Sequence, residues 1–144
     1  MMRLGLDLGK KRIGIATSSS GIIASPYENY DCRTEQKDLE HIAKIVINFN
    51  VKEIIVGLPY NMDGTEGDMA LYVREYCQKL QKMVPDCQIV LTDERLTSCE
   101  AEDILINMNY SREKRKKMLD AISATLILQS YLDKKKNQGC NYDN

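Results

Sequence analysis

A chain of 144 residues is the length of about one domain, enough to bury a core without disulfides or a structural metal. Its composition, 43% hydrophobic and 28% charged, is that of ordinary globular proteins and excludes disordered, collagen-like and fibrous classes. With 20 basic and 21 acidic side chains the net charge is −1, which argues against coating nucleic acid by bulk charge but leaves room for a local basic patch.

Residues 3–8 alternate, with Leu4, Leu6 and Leu8 on one face and Gly5 and Asp7 on the other, the period of a strand. After a turn at Gly9-Lys10-Lys11, residues 12–18 (RIGIATS) form a second expected strand, and residues 21–25 (GIIAS), closed by Pro26, a third. Two tight connections imply an antiparallel meander. Thr34 is placed as an N-cap, and Leu39, Ile42, Ala43, Val46 and Ile47 then recur at helical spacing through Asn48. Residues 51–58 (VKEIIVGL) are expected to be a buried strand parallel to its neighbour. A polar, glycine-containing loop over residues 59–67 follows, then a helix over residues 68–83 stopped by Pro85, and another buried strand over residues 88–92. Thr97-Ser98-Cys99-Glu100 fits a capping box, so a helix is expected there. Ser111 caps a last long helix ending near Lys134, and the polar residues 137–144 are expected to be a disordered tail after one domain over residues 1–136. The order β-β-β-α-β-α-β-α-α gives an α/β fold, one mixed sheet with helices on its faces.

No run approaches the roughly 18 apolar residues of a membrane span, and residues 1–7 suit no signal peptide, so a cytoplasmic protein with no membrane partner is expected. The five cysteines form no C-x-x-C pair and His41 is the single histidine, which excludes the usual zinc sites and leaves His41 as the only base for serine or cysteine catalysis. A structural role suits His41 better. Chemistry must then come from carboxylates, lysines, backbone or a metal held by oxygen.

Three acidic positions qualify. Asp7 lies within the first strand between Gly5 and Gly9, whose missing side chains are expected to leave space for a phosphate or a metal. Asp93 and Glu94 end the last buried strand, where ligand sites of parallel sheets gather; alternation sends them to opposite faces without saying which one faces Asp7. Asp120 borders the apolar stripe of the last helix, beside Ala121 and one turn before Ala124. Carboxylates far apart in sequence are how a site for one or two Mg²⁺-like ions is built. Basic side chains accompany them. Arg112, Lys114, Arg115, Lys116 and Lys117 crowd the first turns of the last helix, against its dipole at ~0.3–1 kcal/mol each. Lys10, Lys11 and Arg12 follow Asp7, and Arg95 follows the acid pair. All nine are candidates for phosphate-backbone contacts.

Four segments, GLDLGKKRIGIA (5–16), VGLPYNMDGTEG (56–67), TDERLTSCEAE (92–102) and LDAISATLILQSYLD (119–133), together resemble the YqgF family. These are Holliday-junction-resolvase-like proteins, also assigned as nucleases of small-subunit ribosomal RNA precursors. The resemblance runs in order from Leu4 to about Asp133. It implies an RNase H-like fold, a five-stranded mixed sheet with its first three strands antiparallel and helices on both faces, and cleavage of structured nucleic acid with a divalent metal, Mg²⁺ or Mn²⁺. Asp7 matches the family's first-strand acid, Asp93-Glu94 its D-E-R motif and Asp120 its helical acid. Ser18-Ser19-Ser20 stands where the family usually has an aspartate, and Ser123 replaces a usual alanine.

The expected catalytic and metal-binding set is therefore Asp7, Glu94 and Asp120, Glu94 being preferred for the reach of its longer side chain. The first functional reading is a nuclease processing the 5′ end of the pre-16S ribosomal RNA, with the small ribosomal subunit as a partner. The alternatives are a Holliday-junction-resolvase-like DNase, a non-catalytic ribosome-assembly factor, and an actin-like ATP-binding protein, for which the chain is too short.

Overall fold

The computed structural model describes residues 1–94, 103, 106, 107 and 109–142. Strands β1 (Arg3–Leu8), β2 (Arg12–Ser18) and β3 (Ser25–Asp31) pair antiparallel. Strands β4 (Glu53–Leu58) and β5 (Gln88–Asp93) extend the sheet in parallel beyond β1. The order β3-β2-β1-β4-β5 puts β1 at the centre of the five, with both faces covered.

The alternation of β1 explains its two environments. Leu4, Leu6 and Leu8 point into the larger core, against helices α1 (Glu35–Phe49) and α2 (Asp68–Met83). Thr34 caps α1 as expected, its Oγ1 accepting the Lys37 N–H at 3.2 Å. The other sheet face carries Ala16 and Ile55 and is covered by helix α3 (Arg112–Tyr142) through Ala124, Ile127, Leu128 and Leu132. At the far end from the acids, the buried Glu53 accepts from Arg3 Nε at 2.7 Å and from Tyr131 Oη at 3.0 Å, which ties α3 to the sheet and offsets the cost of burying a carboxylate.

Three expectations need correction. The third strand is residues 25–31, not 21–25, and Pro26 lies inside it. As the edge strand, β3 tolerates a residue without an N–H. The apolar GIIAS run is instead a loop with Ile22 and Ile23 exposed, held by Gln129, whose side chain bonds the Ile22 carbonyl and the Ala24 N–H at 2.8 and 2.9 Å. Second, β5 is half-buried rather than buried, since it has a described neighbour strand on one side only. Third, α3 continues past Lys134 to Tyr142. The helix expected from Thr97 lies outside the described residues apart from three helical positions, 103, 106 and 107. Among the described residues, no helix is long and apolar enough to cross a membrane.

Candidate active site

Cross-strand register decides which acids can meet. Asp7 pairs with Gly14 of β2, so both face α3. In the parallel ladder Leu6 pairs with Val56 and Gly57 with Thr92, so alternation brings Gly57 and Thr92 to the same face as Asp7. Glu94, two residues beyond Thr92, returns to that face, while Asp93 points to the other and is exposed. The Glu94 N–H donates to the Leu58 carbonyl at 3.3 Å and carries the strand pairing one residue further.

Close approaches complete the placement. A Cβ at Gly57 would stand 2.5 Å from Glu94 Oε2 and 2.6 Å from Ile127 Cδ1, so only glycine lets the glutamate lie across β4 toward Asp7. A Cβ at Gly14 would collide with the backbone carbonyl of Asp120. The helix therefore rests on β2 at Asp7's cross-strand partner. Asn29, paired with Gly14 in the sheet, accepts the Ala121 N–H at 2.6 Å and fixes α3 at that height. No motif or period distinguishes Asn29 in the sequence.

The expectation that glycines beside Asp7 leave room for a ligand is not met. The space at Gly5 is taken by α3, where a Cβ would lie 2.8 Å from Leu128 Cβ, and at Gly9 by the turn, 2.6 Å from the Arg12 carbonyl. These glycines serve packing and turning.

Register and the bare Gly57 set Glu94 toward Asp7, and both carboxyls are raised, so the pair resists full ionisation. Burial, followed by the charge of Asp7, pushes Glu94 up to about 9. Asp7 is also raised, by burial first and then by the charge of Asp120. Asp120 itself turns to Arg12, accepting from Nε at 2.8 Å. Among the described residues, no three acidic, cysteine or histidine side chains are gathered to hold an ion as they stand. The donor chemistry nevertheless fits a hard cation: all three groups are carboxylates, and a cation would relieve the repulsion that helps raise Glu94.

The basic residues divide. Arg12, Lys116 and Lys117 border one groove of about 570 Å³ with Asn29, Asp31 and Glu113. Lys10 lies instead 6.0 Å from the Tyr72 ring of α2, and Lys114 4.6 Å from that of Tyr110. Lys11 and Arg112 are exposed, Arg115 is half-buried, and Arg95 lies outside the described residues. His41 is structural, stacked on Tyr30 at 4.1 Å and bonded to Glu28 at 2.8 Å.

Comparison with known proteins places this geometry. The family described as "RuvX: Holliday junction resolvase" matches residues 1–134. A "Putative pre-16S rRNA nuclease" of Halalkalibacterium halodurans is 44% identical over 137 residues, covering 93% of this chain and 97% of the relative. One of Endomicrobium trichonymphae with the same name is 46% identical over 132 residues, covering 90% and 94%. Among solved structures, T. thermophilus RuvC bound to a Holliday junction substrate aligns with a TM-score of 0.60 at 9% identity, covering 95% of this chain and 96% of that one. Fowlpox virus resolvase with Holliday junction DNA aligns with a TM-score of 0.60 at 12% identity, covering 93% and 98%. At such identities these two establish the RNase H-like fold alone.

Proposed function

Since the chain belongs to the RuvX family, equivalent to the YqgF family, and is a phosphodiester-cleaving hydrolase, we propose that it cuts the 5′ end of the pre-16S ribosomal RNA with Asp7, Glu94 and Asp120, in the cytoplasm and on the assembling small subunit. The observation that carries the site assignment is the convergence of the acids: register and Gly57 bring Glu94 across β4 toward Asp7, and Gly14 seats the Asp120 turn of α3 on Asp7's cross-strand partner. Burying neighbouring carboxyls costs stability, and such costly groupings gather at functional sites.

A divalent cation, Mg²⁺ or Mn²⁺, would supply Lewis acidity at the phosphate and an activated water. Asp7, Glu94 and Asp120 would hold it through their carboxylate oxygens. Lys116 and Lys117, on the groove beside Asp120, take backbone phosphates and set the strand without reading bases. RNA is preferred to DNA as substrate because the relatives of 44% and 46% identity bear a ribosomal RNA name.

The test is cleavage by purified protein of a pre-16S 5′ fragment and of a four-way DNA junction, with Mg²⁺, with Mn²⁺ and with EDTA. Cutting of the RNA that EDTA stops supports the reading. Cutting of the junction alone transfers the site to DNA, and cutting of neither overturns it.

A further inference from the structure

We propose that Arg12 is a positioning residue that keeps Asp120 off the cation site until a substrate phosphate takes its guanidinium. The proposal rests on the reading of Asp7, Glu94 and Asp120 as the cation-binding acids. Its basis is where Arg12 stands. The residue opens β2, and its Nε holds Asp120 Oδ2 at 2.8 Å with the side chains 43% and 25% exposed. The same arginine borders the groove where Lys116 and Lys117 stand with Asn29, Asp31 and Glu113, three cations against two carboxylates. It therefore lies between the third acid and the groove proposed to take backbone phosphate.

An ion pair this open to solvent is weak and exchangeable. Phosphate is a strong competitor for a guanidinium, because it accepts two parallel charge-assisted bonds. When the arginine turns to phosphate, Asp120 loses its counter-charge at the point where α3 rests on Gly14, the cross-strand partner of Asp7. The freed carboxylate could then join Asp7 and Glu94 as a donor, so that the site would offer two protein carboxylates to a cation without substrate and three with it. Substrate and metal therefore strengthen each other's binding, reciprocally and by the same factor.

Mn²⁺ titration calorimetry on the full-length protein tests this without any turnover. Arg12→Gln should bind Mn²⁺ about tenfold more tightly than wild type, the effect of one added carboxylate donor. Arg12→Lys, which keeps a cation on Asp120, should bind as wild type does. In an Asp120→Asn background, Arg12→Gln should change the affinity far less. Saturation with an uncleavable 2′-O-methyl RNA hairpin should tighten Mn²⁺ binding to wild type but add little in Arg12→Gln. Equal affinity of Arg12→Gln and wild type overturns the proposal. So does equal tightening with and without Asp120, which would be a general charge effect, and so does a hairpin without effect on wild type. If Asp7→Asn binds Mn²⁺ as wild type does, the cation site itself is misassigned and the role of Arg12 falls with it. If Asp7→Asn abolishes binding while Arg12→Gln leaves it unchanged, only the role of Arg12 fails.

Discussion

Asp7 and Glu94 make the metal-free protein pay in stability as the pH rises. Both carboxyls are raised above their ordinary range by burial, Glu94 to about 9. A group raised on folding stabilises the native state below its unfolded pKa and loses that contribution as pH climbs through its folded pKa. In EDTA the melting temperature should therefore fall between about pH 5 and about pH 9 by more in wild type than in Glu94→Gln. Thermal melts of both proteins across that range check it, and parallel curves would contradict a raised Glu94 carboxyl. Asp7→Asn removes the repulsion and can donate a hydrogen bond to Glu94, so its metal-free form should melt no lower than wild type. The three acids were legible in the sequence from strand alternation, from the position at a strand end and from the YqgF resemblance. The choice of Glu94 over Asp93 came from side-chain reach, whereas the geometry rests on register: Glu94 shares parity with Thr92 and crosses Gly57. Register between distant strands leaves no trace in either strand's own pattern.

Helix α3 is the element on which the site depends, since it carries Asp120, the lysines and the cover of one sheet face. It sits low because β2 offers no side chain at Gly14. Gly14→Ala should lift the helix and destabilise the protein by about 1–3 kcal/mol or more, the cost of overpacking a close contact. Urea denaturation measures it; a change within about 0.5 kcal/mol, usual for surface substitutions, would mean that the helix is not so tightly seated. The first turns of α3 make a separate prediction. Lys116→Glu with Lys117→Glu should weaken binding of all RNA sequences alike and reduce the salt slope by about 0.7–0.9 per lost phosphate contact. An unchanged slope would leave the two lysines as a solvated helix end. Elements with strong periodicity, β1, α1 and α2, were readable from sequence almost to their ends. The edge strand β3 was not, because SPYENYD has no clean alternation and contains a proline, while the apolar GIIAS run beside it imitates a strand.

The whole molecule is a mixed sheet whose central strand joins an antiparallel meander to a parallel pair, and the acids collect where the two halves meet. Chain order foretold the antiparallel and parallel parts, since short turns join the first and helices precede the second. It did not foretell that, among the described residues, α3 would be the helix covering the Asp7 face, a matter of how the glycines of three strands admit one helix. A net charge of −1 is compatible with the proposed binding at a local groove, because association responds to where charges sit and not to their sum. In the proposed function Asp7, with Glu94 and Asp120, forms a cation-dependent site for cutting ribosomal RNA precursor. The decisive measurement is single-turnover cleavage of a pre-16S 5′ fragment in Mn²⁺ by wild type and Asp7→Asn. Wild type should cut, and the variant should lose about a hundredfold or more. Cutting by Asp7→Asn at the wild-type rate would remove Asp7 from the site.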